Sequence, residues 1–114
     1  MFEVDRIVAI IKPRQALFEW LQGQKEVSID NLTLKNLQRD CTALLIPQFD
    51  GPNQAKEYIR QIYDGILEGE LASWGVPKRL WPKERTIELF NEWFLVEFHS
   101  MVFDLAYLEQ KRQA

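Results

Sequence analysis

The chain is 114 residues long, 46% hydrophobic and 12% aromatic, with 17 acidic against 14 basic side chains and a formal net charge of −3. That length specifies one domain, residues 1–114, whose core needs neither metal nor disulfide, and the composition excludes a disordered chain. The acidic balance argues against nucleic acid or an anionic membrane as partner, because both need a basic surface.

In chain order, "VDRIVAIIK" (4–12) holds the clearest β-branched run. Val8, Ile10 and Ile11 predict a buried strand that stops at Pro13. Ala16, Leu17, Trp20 and Leu21 fall on one helical face, and Gly23 is placed to end that helix. Residues 24–32 read as a polar connection. Thr33 predicts an N-cap for a short helix with Leu34 and Leu37 facing inward. "CTALLIP" (41–47) reads as a second buried strand closed by Pro47.

"FDGPNQ" is a loop, and Pro52 can open the next helix. Ala55, Tyr58, Ile59, Ile62, Ile66, Leu67, Leu71 and Trp74 recur at spacings of three and four, the strongest helical pattern in the chain. Gly65 and Gly69 lie inside it at about 1 kcal/mol each relative to alanine, which predicts close packing against a neighbouring element. Gly75, Pro77 and Pro82 break the pattern. Lys78, Arg79, Lys83 and Arg85 form the densest basic cluster, but Glu84 interrupts it, so a solvated loop is expected. Thr86 is a plausible N-cap, with Ile87, Phe90, Trp93 and Phe94 as the apolar stripe of a shorter helix.

Residues 94–108 fit two templates. As a helix, Phe94, Phe98, Met101, Val102, Leu105 and Leu108 line one face. As a strand, Glu97 and His99, the only histidine, share a face at i and i+2. His99 and Ser100 are weak helix formers and "MVFDL" is apolar on both faces, which favours a strand from about Val96. A carboxylate beside an imidazole orients it and raises its pKa, so Glu97 and His99 are the candidate catalytic pair. A solvated histidine hydrogen-bonded to its neighbours is the ordinary alternative.

Trp74, Trp81 and Trp93 fall within twenty positions, alongside Phe90 and Phe94. They read first as an aromatic layer closing the core. The alternative is a partner-binding surface, with Trp81, Arg85, Trp93 and Trp74 as candidate binding residues and Trp81 expected to be the most exposed of these three tryptophans. The single cysteine, Cys41, permits no intramolecular disulfide and reads as buried and inert. Histidine and cysteine spacing gives no metal site, and nucleotide and nucleophile signatures are absent, so no cofactor is expected. "MFEVDR" lacks the start of a signal peptide, and no apolar stretch approaches the length of a membrane span, so the expected location is cytoplasmic.

"DCTALLIPQFD" (40–50) and "WPKERTIELFNEWFLVEFHSMVFDL" (81–105) resemble a family of small, uncharacterised bacterial proteins. That resemblance implies a bacterial, cytosolic, single-domain protein without an assigned activity or cofactor. It marks Trp81, Pro82, Arg85, Trp93, Phe94, Glu97, His99, Ser100 and Asp104 as matching motif positions.

The expected fold is α+β, one two-layer domain in the order β-α-β-α-α-β with an additional short helix before the second strand. A three-stranded sheet would carry helices mainly on one face. Its other face would need a cover, which suggests the C-terminal segment or a homodimer. Three classes of function follow. The first is a non-catalytic protein-interaction or accessory domain, with a protein partner or self-association. The second is a small enzyme using Glu97 and His99. The third is a small-ligand-binding regulatory domain with a cavity between sheet and helices.

Overall fold

The computed structural model describes residues 5–29 and 32–106. The elements run β1 (Arg6–Pro13), α1 (Gln15–Gln22), α2 (Leu34–Leu37), β2 (Thr42–Pro47), α3 (Pro52–Ser73), a 3-10 helical turn at Lys78–Leu80, α4 (Ile87–Trp93) and β3 (Phe94–His99). The strands form an antiparallel sheet in the order β2-β1-β3. This is the α+β architecture expected.

β1 is the central strand, and its alternation separates two chemistries. Ile7, Ala9, Ile11 and Pro13 are buried on the helix side, while Arg6, Val8, Ile10 and Lys12 point to the other side. Each fully buried Ile contributes about 1.5–3 kcal/mol relative to an exposed one. Register fixes the neighbours: Ile7, Ala9 and Ile11 stand opposite Ile46, Leu44 and Thr42 of β2, and Ala9 and Ile11 opposite Phe98 and Val96 of β3.

Helix ends follow the local chemistry. The Thr33 hydroxyl accepts from the Asn36 N–H at 3.0 Å and the Thr86 hydroxyl from the Leu89 N–H at 3.1 Å, the two N-caps expected. Pro52 opens α3, where its missing N–H costs nothing. After α3 the chain turns through Gly75 at φ 72, a conformation glycine adopts without a Cβ clash, and the Val76 N–H donates back to the Leu71 carbonyl at 3.1 Å. Arg14 donates its N–H to the Trp93 carbonyl at 2.8 Å, tying the end of β1 to the end of α4. Leu17, Leu21, Ala55, Ile59, Leu67, Leu71, Phe90 and Trp93 bring α1, α3 and α4 onto one core. Phe90 and Phe94, with centroids 5.2 Å apart, form its aromatic centre, and Trp74 stacks on Phe94 at 6.3 Å.

Four expectations need correction. β3 starts at Phe94, directly from α4, and ends at His99 rather than running through "MVFDL"; beyond it the described residues show an isolated bridge at Phe103 and helical backbone at Leu105 and Ala106. β2 is not a buried strand. It is an edge, and only Ile46 in it is buried. Gly65 and Gly69 pack against nothing, since a Cβ built at either meets no atom within 4 Å. Arg85 is not part of a solvated loop, because its guanidinium is held by two carboxylates of α3. Parts of the predicted first strand and polar connection, and Leu108, lie outside the described residues.

Candidate functional site

Alternation along β3 puts Glu97 and His99 on the same sheet face, as the strand reading expected. Glu97 stands opposite Ile10 and His99 opposite Val8. The His99 Nε2 lies 3.8 Å from one Glu97 oxygen, and the Lys12 Nζ lies 3.8 Å from the other. Both distances exceed hydrogen-bond reach. The face is the one away from the helices, and the His99 side chain is 60% exposed. The pair stands on an open, solvated surface rather than in a cleft, and exposed ion pairs of this kind are worth about 0–1 kcal/mol. Cys41 adjoins the strand residue paired with Ile11, whereas His99 pairs with Val8, farther along β1 on its other side. Its thiol donates to the Gln38 carbonyl at 3.4 Å, and burial pushes its pKa up, so it is not poised as a nucleophile.

The predicted binding residues meet in a different role. Arg85 spans α3 and the loop before α4. Its Nε donates to Asp64 at 2.7 Å, and Nη2 donates to the second Asp64 oxygen at 3.3 Å and to Glu68 at 3.1 Å. That fork holds the Asp64 carboxyl below the usual carboxylate range, chiefly through the hydrogen bond itself. The guanidinium also sits 5.9 Å from the Trp81 ring centre. Trp81 is half-buried, and its indole N–H donates to the Val76 carbonyl at 2.8 Å. The Tyr63 hydroxyl donates to the Arg85 carbonyl at 2.8 Å. Trp93 is buried against Trp20, with centroids 5.0 Å apart, and Trp74 packs on Phe94. These side chains fasten α4 and the loop before it to α3.

The open surfaces lie elsewhere, on either flank of α3. On the β2 side a groove of about 500 Å³ runs between Thr42 and Leu44 of the strand and Ile62, Gly65, Gly69 and Glu70 of the helix. Glu70 is 6% exposed, and burial raises its carboxyl pKa while the Thr42 hydroxyl partly offsets that. Sequence reasoning missed Glu70, although it continues the Ile62–Ile66 spacing by one further turn. On the β3 side a second groove, of about 530 Å³, has an apolar floor and a charged rim. The far face of the sheet is partly apolar, with Leu45 65% and Leu95 41% exposed.

Among the described residues no group of three or more His, Cys, Asp or Glu side chains could hold a metal ion, and no helix is long and apolar enough to cross a membrane. Compared with known protein families, with curated proteins and with solved structures, the chain matches none. A functional reading therefore has to come from these surfaces.

Proposed function

We propose that this protein is a non-catalytic interaction domain that pairs with a second copy of itself, edge to edge along β2. The observation that carries this reading is β2 itself. Its six residues, Thr42–Pro47, include no ionisable side chain, and only Ile46 is buried. Among the described residues no strand pairs with its outer edge. Unpaired N–H and C=O groups on an apolar edge without a charge are a template for another strand. The apolar run that reads as a buried strand in sequence would become one in the pair.

A two-fold axis normal to the sheet sets β2 against β2 in the antiparallel sense and joins two three-stranded sheets into one of six. Such an axis keeps every side chain on its own face. Residues of like parity therefore meet, and the register centres on Leu44 or Leu45. Gly65 and Gly69 leave free space beside Leu44 for side chains of the partner copy.

Pairing through the far sheet face is the other arrangement the sequence suggests, but it would cover Lys12, Glu97 and His99. Desolvating ions costs several kcal/mol each unless they are well paired. The β2 strand brings no ionisable group of its own, and the one ionisable side chain in the groove beside it, Glu70, is already 6% exposed in the single chain. The solvated, long-range geometry of Glu97 and His99 also favours the non-catalytic reading over the enzymatic one.

Sedimentation equilibrium from low to high micromolar protein tests this. Wild type is expected to form dimers, and Leu44→Lys to remain monomeric with an unchanged circular dichroism spectrum. In a Cys41→Ser background, Leu44→Cys or Leu45→Cys is expected to close an intermolecular disulfide on mild oxidation. Wild type that stays monomeric at high micromolar concentration, or failure of both cysteines to crosslink, removes the proposal.

A further inference from the structure

We infer that the groove on the β3 flank of α3 is a binding site for a small amphipathic anion, a single carboxylate head on an apolar body. It lies between the N-terminal half of α3, α4 and β3, and its volume of about 530 Å³ is in the range of small-molecule sites. This site is separate from β2 pairing, which uses the opposite flank of α3.

The floor is apolar. Ile59 and Phe94 are buried there, and Ile87, Val96 and Phe98 are half-buried and also line it. Ile87, Val96 and Phe98 keep part of their apolar surface exposed at the groove, so an apolar body placed there removes it from water.

The rim supplies the charge. Arg14, from the turn after β1, lines the same groove as Lys56 and Arg60, which stand four residues apart on α3. Like charges at that helical spacing repel one another, which disfavours this arrangement unless an anion joins them. Glu57 and Glu88 also line the groove, yet among the described residues no ion pair links them to the three cations. Three cations against two carboxylates leave the groove with one net positive charge, in a chain of net charge −3. One excess positive charge matches a monoanionic head, and the Arg14 and Arg60 guanidinium groups present the planar fork that a carboxylate accepts in pairs. Asn53 and Asn91 add amide donors at the same rim.

The test uses dodecanoate below its micelle concentration, with methyl dodecanoate and dodecyltrimethylammonium as uncharged and cationic controls. Calorimetry measures affinity, and amide chemical shifts locate the probe. Dodecanoate is expected to bind one per chain, about tenfold or more tighter than either control, with shifts centred on residues 53–60 and 87–98. Lys56→Gln with Arg60→Gln is expected to weaken dodecanoate about tenfold and to leave methyl dodecanoate and the thermal melt unchanged. Equal affinity for all three probes, shifts confined to the far sheet face, or wild-type affinity in the double variant overturns the inference. So does adsorption to phosphatidylglycerol vesicles without a one-to-one dodecanoate complex, which would assign the rim to a membrane surface.

Discussion

Alanine at Gly65 and Gly69 should make the isolated chain more stable. Both positions lie well inside α3, where glycine costs about 0.8–1.0 kcal/mol relative to alanine through lost backbone entropy. A Cβ at either position meets no atom within 4 Å, so no packing penalty offsets the gain. The double variant should therefore gain about 2 kcal/mol. Unfolding entropy for a chain of this length is roughly 0.24 kcal/mol/K, which converts that gain to a rise in Tm of about 8 °C. The assay is thermal unfolding followed by circular dichroism at sub-micromolar concentration, where a self-pairing chain is dissociated. Filling the same flank with Gly69→Leu should leave the dilute chain folded but weaken dimer formation at high concentration. A double alanine variant that melts at or below the wild-type temperature when dilute would show that the flank is already occupied within one chain, and the argument from free space would be wrong.

Arg85→Ala should cost about 1–2 kcal/mol, or a fall in Tm of about 4–8 °C, since it removes the fork to Asp64 and Glu68 and the contact with Trp81; the value is held down by the exposure of both carboxylates, and Arg85→Lys should recover only part of it. Glu70→Gln should stabilise the fold increasingly as pH rises from 4 to 8. Burial holds the folded-state pKa of Glu70 above its unfolded value, so the stability that its neutral form contributes is present below the unfolded pKa and lost as pH rises through the folded one. Chemical denaturation at several pH values reads the difference, and a gain that does not grow with pH contradicts it. Glu97→Gln and His99→Ala should each change stability by no more than about 0.5 kcal/mol, because both side chains are solvated and 3.8 Å apart; a larger loss in a urea titration would mean that the pair is held more tightly than its geometry shows.

Local rules made much of this fold readable. Thr33 and Thr86 announce their caps because a hydroxyl satisfies an N–H three residues on, and α3 announces itself because a 22-residue helix repeats its apolar stripe many times. Strand order is not local. "VDRIVAIIK" and "CTALLIP" are equally apolar, and only the path of the chain makes β1 central and β2 an edge. Arg85 looked like one more basic loop residue because its carboxylate partners lie 21 and 17 residues earlier. The glycines mislead for a related reason. Glycine in a helix usually signals a close neighbour, and here the space beside both glycines is open. Period-two alternation puts Glu97 and His99 on one face, but alternation does not say which face has helices on it.

The two flanks of α3 are a consequence of width. Three strands about 4.8 Å apart make a sheet wider than one helix of about 10 Å diameter can cover. Helices bury the central strand, where Ala9 and Ile11 are wholly inaccessible, and both flanks of α3 stay open toward the edge strands. Each opening would be a defect if its lining were random, but the two linings differ in kind. Along β2 the strand is uncharged, and the helix opposite it carries two glycines and a buried carboxylate, which suits backbone and apolar side chains. Along β3 the floor is aromatic and aliphatic under three cations, which suits an apolar body with one negative charge. The path of α3 across the sheet thus leaves two openings with linings of different chemistry, one toward each edge strand.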